Sequence, residues 1–264
     1  MQNRSGKFKT IPRISAFAFA IVLAFTAPSS AGSFDFSIWD ALLKKYVSPS
    51  ARSGIHFNAV AYAQLKGDPR FAQLTGDLGK FSPDRLQTRE ERLAFWINAY
   101  NILAVKTVVD HFPVKSIKDA GNIVSSVWKR AAGVVGGKET TLHEIEHEIL
   151  RKMGEPRIHS AIVCASLSCP DLRTEAFVPG KLNIQLDDQM KTFLENREKG
   201  LRVDARKGTV YLSSIFKWFA EDFETKGGVL AFVAQYAAPP DRKILTGGKS
   251  KIAYLDYDWS LNGP

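Results

Sequence analysis

Cysteine is scarce in this sequence: 264 residues carry two, Cys164 and Cys169, against five histidines. Two cysteines admit one disulfide at most, and their spacing with His147 and His159 is not that of a zinc finger or ribbon. No histidine follows Cys169, which excludes the papain order of cysteine then histidine and an ordinary transglutaminase arrangement. Internal repeats and low-complexity stretches are absent. Beyond residue 31 no run is apolar for long enough to span a bilayer, which takes about 20 residues.

What the N-terminus does have is Arg4, Lys7, Lys9 and Arg13, no acidic residue, and then the apolar run Ile14–Phe25. That pattern, followed by Ser29 and Ala31, reads as a signal peptide over residues 1–31 cleaved after Ala31. With no cysteine near the cleavage site, a lipid-modified terminus is not expected. The expected location is periplasmic or secreted. Removing residues 1–31 takes away four positive charges and no negative ones, so the net charge falls from +9 to +5. That is an ordinary basic surface, so a peptide, glycan or protein of the cell envelope is the expected partner and nucleic acid is not.

Residues 32–264 are long enough for one domain with a sizeable core. Ser37–Val47 and Phe57–Leu65 read as amphipathic helices with a loop between them. Thr88 and Glu91 form a capping box for the strongest helix, which Pro113 ends. Apolar residues cover nearly every side of it from Leu93 to Val109, so it is expected to run through the core. A β-hairpin turns at Gly136-Gly137. Thr141 and Glu144 cap a helix that Gly154 ends. GKLNIQLDDQMKTFLEN places Leu182, Leu186, Met190 and Phe193 inward, LRVDARKGTVYLS reads as a second hairpin, helices follow around IFKWFAEDF and VLAFVAQYA, and IAYLDY reads as a last strand. The expected fold is α+β: a helix-dominated single domain with a small antiparallel sheet built from β-hairpins.

Taken together, LAFWINAYN, IEHEILR, HSAIVCASLSCPDL, IFKWFAEDF and LDYDWSLN resemble the family catalogued as domain of unknown function number 547, over roughly Phe57 to Asn262. The resemblance implies a single domain and marks Asn98, Glu146, His147, His159, Cys164 and Cys169 as matching the family pattern. It implies no activity.

The chemistry centres on HSAIVCASLSCPDLR, residues 159–173. A Cys164–Cys169 disulfide requires Ala165–Ser168 to make a turn, since five residues of helix rise about 7.5 Å, beyond the usual Cα separation of about 4.4–6.8 Å. Alternatively, Cys169-Pro170 places a thiol at the start of a short helix, where the dipole and free N–H groups favour its ionisation. Cys169 is then the nucleophile and Cys164 the more buried thiol. His147 or His159 is the candidate base and Asn98 or Glu146 the orienting group. HEIEH, residues 143–147, fits the zinc spacing H-E-x-x-H, but Glu144 is already used in its capping box and no third ligand follows, with His159 or Glu175 left as partners in space. No metal and no cofactor is assigned. The reading is a thiol-dependent hydrolase or transferase of the cell envelope using a Cys/His pair. Its alternative is a non-catalytic envelope domain, with Tyr254, Tyr257 and Trp259 as candidate aromatic contacts.

Overall fold

The computed structural model describes residues 2, 32–122 and 125–263. Apart from Gln2, the signal-peptide expectation over residues 1–31 lies outside the described residues. The unit Gly32–Pro264 is compact. It holds helix α1 (Ser37–Tyr46), hairpin β1 (Val47–Arg52) and β2 (Ile55–Val60), and helices α2 (Tyr62–Lys66), α3 (Pro69–Lys80) and α4 (Arg89–His111). Hairpin β3 (Ala131–Val135) and β4 (Lys138–Thr141) follows, then a π-helix (Glu144–Leu150) and the single turn α5 (Ile158–Ala161). The last third contains α6 (Leu182–Glu195), β5 (Leu201–Asp204), β6 (Thr209–Leu212), α7 (Ile215–Trp218), α8 (Val229–Tyr236), α9 (Pro239–Leu245) and β7 (Lys251–Tyr254).

The helix-dominated α+β class holds, with two differences of detail. Among the described residues the strands form three small separate sheets, and β7 joins β6 in parallel rather than as part of a hairpin. No helix among the described residues is long and apolar enough to cross a membrane.

Thr88 and Glu91 cap α4 reciprocally, with Glu91 N–H donating to Thr88 Oγ1 at 3.1 Å and Thr88 N–H to Glu91 Oε2 at 2.9 Å. From Leu93 to Val109 the helix is buried except at Trp96 and Lys106, which are half-buried. Each large apolar side chain removed from water there contributes about 1.5–3 kcal/mol. Around α4 lies the larger hydrophobic cluster, from Trp39 through Leu142 to Phe177. A second cluster gathers Met190, Phe193, Phe216, Phe223 and Phe232 from α6 to α8.

The segment 47–60 departs from expectation. It is a hairpin, where a loop and a helix were read, because Ser53 and Gly54 both adopt positive φ (52° and 83°) and close a tight turn between strands. Helix α3 was not read at all, although Asp68 caps it through Arg70 N–H and Pro69 opens it.

Two buried asparagines of α4 fix the chain that passes over it. Asn101 Nδ2 donates to Ala161 O and its Oδ1 accepts from Val163 N–H, both at 2.9 Å. Asn98 makes the same two-point clamp on Phe177, at 2.8 and 3.0 Å. We expect Asn101→Ala to destabilise the protein by about 2–4 kcal/mol, because it leaves a buried carbonyl and a buried N–H unpaired. Urea denaturation at neutral pH measures this, and a loss under about 0.5 kcal/mol contradicts the clamp.

Candidate functional site

Asn101 sets the start of the cysteine segment, and the C-terminal tail sets its course. Leu167 N–H donates to Ser260 O at 2.9 Å, Asn262 N–H to Ala165 O at 3.1 Å and Ser168 N–H to Asp258 O at 3.2 Å. Ser166 and Leu261 form an antiparallel bridge. Ala165 takes a left-handed φ of 57°, uncommon for a residue with a Cβ. Together these make the turn between the cysteines.

The turn brings the sulfurs together as free thiols, with Cys164 Sγ 2.6 Å from Cys169 Sγ. Cys164 N–H also donates to Cys169 Sγ at 2.9 Å. Tyr257 Oη lies 3.1 Å from Cys164 Sγ and accepts from Ser166 Oγ at 3.2 Å. Burial pushes the Cys169 thiol up, but hydrogen bonds from Cys164, Tyr257 and the Cys164 amide outweigh it and bring it down to about 7. Burial and the neighbouring Cys169 hold the Cys164 thiol well above its usual range. One sulfur of the pair is therefore set to be the thiolate and the other the thiol.

Two expectations for this segment are corrected. No helix follows Pro170, since residues 170–178 are irregular and pinned by side-chain bonds such as Asn58 N–H to Asp171 Oδ1. Cys169 owes its lowered pKa to hydrogen-bond donors from the turn and Tyr257 rather than to a helix dipole. The burial order is also reversed: Cys169 is 3% exposed, and Cys164 is the half-buried one.

Both cysteines line a cavity of about 260 Å³ at the seam between the two hydrophobic clusters. Tyr100, Glu146, His147, His159 and Ile162 line it from the N-terminal side, and Ile215, Trp218, Phe219, Tyr257 and Trp259 from the other. Five of the six residues singled out in the sequence meet there. Asn98 does not, because both ends of its amide are spent on Phe177.

The histidines are held by charge. His159 Nε2 lies 2.6 Å from Asp222 Oδ2, and its ring stacks on Phe219 with centroids 4.2 Å apart. Burial works against the Asp222 carboxylate, but His159 and Arg151 outweigh it and hold its pKa well below the usual range. An ionised carboxylate only accepts, so Nε2 carries the proton and Nδ1 is the acceptor nitrogen. Burial keeps the ring neutral against the pull of Asp222. Arg151 Nε and Nη2 fork onto Asp222 at 2.7 and 2.8 Å, and its Nη1 lies 2.9 Å from His147 Nδ1. Arginine only donates, so His147 accepts at Nδ1 and bears its proton on Nε2. Among the described residues no hydrogen bond joins an imidazole to either sulfur.

The π-helix presents Glu146 and His147 to the cavity, and such wide turns recur at functional sites. The His143 and His147 rings pack tilted with centroids 4.4 Å apart, and Glu144 closes the capping box with Thr141, at 2.9 and 3.0 Å. Among the described residues no group of three or more His, Cys, Asp or Glu side chains is arranged to hold a metal ion. Asp222, Trp128, Trp218 and Phe219 were missed in the sequence, whereas Tyr257 and Trp259 had been named as aromatic contacts and do line the cavity; the only signal for Asp222 was its place in IFKWFAEDF.

Glu146 is buried and reached by Tyr100 Oη at 3.3 Å. Burial raises its pKa to about 7, against the opposing Tyr100 bond. The folded state thus holds a proton that the unfolded chain has already released at pH 5–6. The stability from this group is complete below the unfolded value of about 4.3 and falls as pH rises through 7. We expect the native protein to lose roughly 3 kcal/mol between pH 4.5 and 7.5 from this group. Glu146→Gln removes that slope, and denaturant titrations showing the same slope in both proteins contradict the assignment.

No curated protein and no solved structure matches the chain. A family match covers residues 83–194, narrower than the span over which the motifs were read. It includes α4, the π-helix and the cysteine turn, and leaves Asp222, Tyr257 and Trp259 outside. Over residues 83–194 the chain thus carries the resemblance to the family described as protein of unknown function, DUF547.

Proposed function

We propose that the cavity is the active site of a thiol-dependent hydrolase or transferase acting on an acyl group, with Cys169 as nucleophile, His159 as base and Asp222 as its positioning residue. One observation carries the reading: a sulfur whose thiolate is stabilised and a neutral imidazole backed by a carboxylate line the same apolar cavity. A substrate carbonyl bridges them. In the first half-reaction His159 Nδ1 takes the Cys169 thiol proton, the Cys169 sulfur–carbon bond forms as the acyl bond to the leaving group breaks, and His159 passes that proton to the leaving group. In the second, His159 Nδ1 accepts a proton from water or another acceptor, whose oxygen attacks the thioester and frees the thiolate. The proton gathered by His159 replaces the one that left. His147, with Nδ1 occupied by Arg151, offers its Nε2–H as a hydrogen-bond donor and is not the base.

The walls favour an apolar or aromatic acyl group. Trp218 stacks on Trp259 at 5.9 Å, Tyr257 packs tilted against both at 4.8 and 4.6 Å, and Trp128 meets Trp259 edge-on at 5.5 Å. Lys118 Nζ sits 3.7 Å over the Trp259 ring and places a cation beside this wall. The reading includes export to the periplasm or beyond, supported by the basic then apolar N-terminus. A second reading, a non-catalytic envelope domain binding a peptide, glycan or protein, is favoured by the Trp218 side chain at the cavity rim, 47% exposed.

Alkylation and acylation separate the two. Iodoacetamide is expected to label Cys169 in the native protein with a half-maximal rate near pH 7, below the value of about 8.5 for an ordinary thiol. An activated apolar acyl ester leaves an adduct on Cys169 that turns over, and His159→Gln slows its loss by about 10²-fold or more. His143→Ala changes neither. Peptide mass spectrometry reads both sites. An ordinary thiol profile with no acyl adduct overturns the enzyme in favour of the binding domain.

A further inference from the structure

The acyl-transfer reading uses one sulfur, and the second has no role in it. Cys164 is nevertheless the closest polar neighbour of Cys169, through both its sulfur at 2.6 Å and its amide at 2.9 Å. Five residues of helix or strand would separate the two by about 7.5 or 16 Å. The approach is made by the turn, and the turn is pinned from outside by Ser166–Leu261, Leu167–Ser260 and Ser168–Asp258. Ser168 Oγ also accepts from Asp258 N–H at 2.8 Å. This backbone holds two thiols face to face in a cavity that admits a small molecule.

We propose that Cys164 and Cys169 form a reversible dithiol–disulfide couple, Cys169 attacking and Cys164 resolving, that gives the cavity a thiol–disulfide exchange activity toward low-molecular-weight disulfides. The Cys169 thiolate attacks one sulfur of RS–SR, the S–S bond breaks, and RS⁻ leaves a mixed disulfide on Cys169. The Cys164 proton passes to that RS⁻. Cys164 sulfur then attacks Cys169 Sγ, forming the internal bond and releasing the second RS⁻. The protein dithiol is oxidised by two electrons, and one external disulfide is reduced to two thiol species. Tyr257 Oη, 3.1 Å from Cys164 Sγ, is placed to stabilise the thiolate that Cys164 must become. The acidity order agrees, since Cys169 is the sulfur that ionises first. Closing the couple consumes the nucleophile of the acyl-transfer reading, yet the exchange does not depend on that reading.

The test uses the full chain, reduced and freed of reductant, with one equivalent of dithiodipyridine at pH 7 and no acyl donor. The wild type is expected to release both thiopyridone groups and to end two hydrogen masses lighter, with neither cysteine open to iodoacetamide until reductant is restored. Cys164→Ser releases one group and keeps a stable mixed disulfide on Cys169. Cys169→Ser reacts at least about tenfold more slowly than Cys164→Ser, the factor set by one pKa unit of thiolate fraction. A wild type that stops at one released group with a lasting adduct, or that binds two adducts, overturns the couple. Because the wild type alone decides this, a variant that fails to fold does not leave the matter open. A negative acylation result with a positive exchange result removes only the acyl-transfer reading, and the converse removes only the couple.

Discussion

A charged or polar group set into an apolar seam must find a partner, and the arrangement of this cavity follows from that requirement. The seam lies between two hydrophobic clusters, yet Glu146, His159 and both thiols line the cavity there, with Asp222 bonded to His159 and Arg151 to Asp222. Arg151 and Asp222 answer each other by a two-point fork, and Asp222 then answers His159. Glu146 accepts a hydrogen bond from Tyr100, but burial outweighs it, so it resolves the conflict by holding its proton. Among the described residues a single buried side-chain N or O atom, Arg173 Nε, lacks a partner, and it lies outside the cavity. Asp222, which Arg151 ties to the end of the π-helix, is thus also the carboxylate that fixes the tautomer of the base.

Much of the scaffold was legible because it rests on local rules. The T-x-x-E signatures at Thr88 and Thr141 were both realised as capping boxes, and the Gly136-Gly137 turn took positive φ at both positions. The α6 pattern buried Leu182, Leu186, Met190 and Phe193 as its period required. The error at residues 55–60 also has a local cause. IHFNAV has apolar residues at spacings that suit either a helix or a strand, and the deciding signal, Ser53-Gly54, was read as loop rather than as a tight turn.

The site was legible in its residue types and not in its bonding. His147, His159, Glu146 and the cysteines could be named because polar side chains stood among apolar ones. Asn98 stood out for the same reason, and its polarity proved to serve the backbone of Phe177. A buried amide and a catalytic amide look alike until their partners are known. Asp222 could not be found this way, because AEDFETK is acidic and surface-like in sequence and only the fold turns one carboxylate inward. Tyr257 and Trp259 could be named, but their meeting with Trp218 was hidden for a related reason: some forty residues of chain separate them.

That wall has a consequence for the order in which the molecule is made. Tyr257 is synthesised 93 residues after Cys164, whose sulfur it covers, and Leu261 later still. A ribosome adding about 5–20 residues per second needs several seconds to supply that cover. During this interval the cysteine segment exists without the strand that bends it, and its two thiols are free to take other partners. The pairing of the turn with residues 257–262 therefore separates two chemical lives of the same residues: an open one on the growing chain and an enclosed one once that segment arrives.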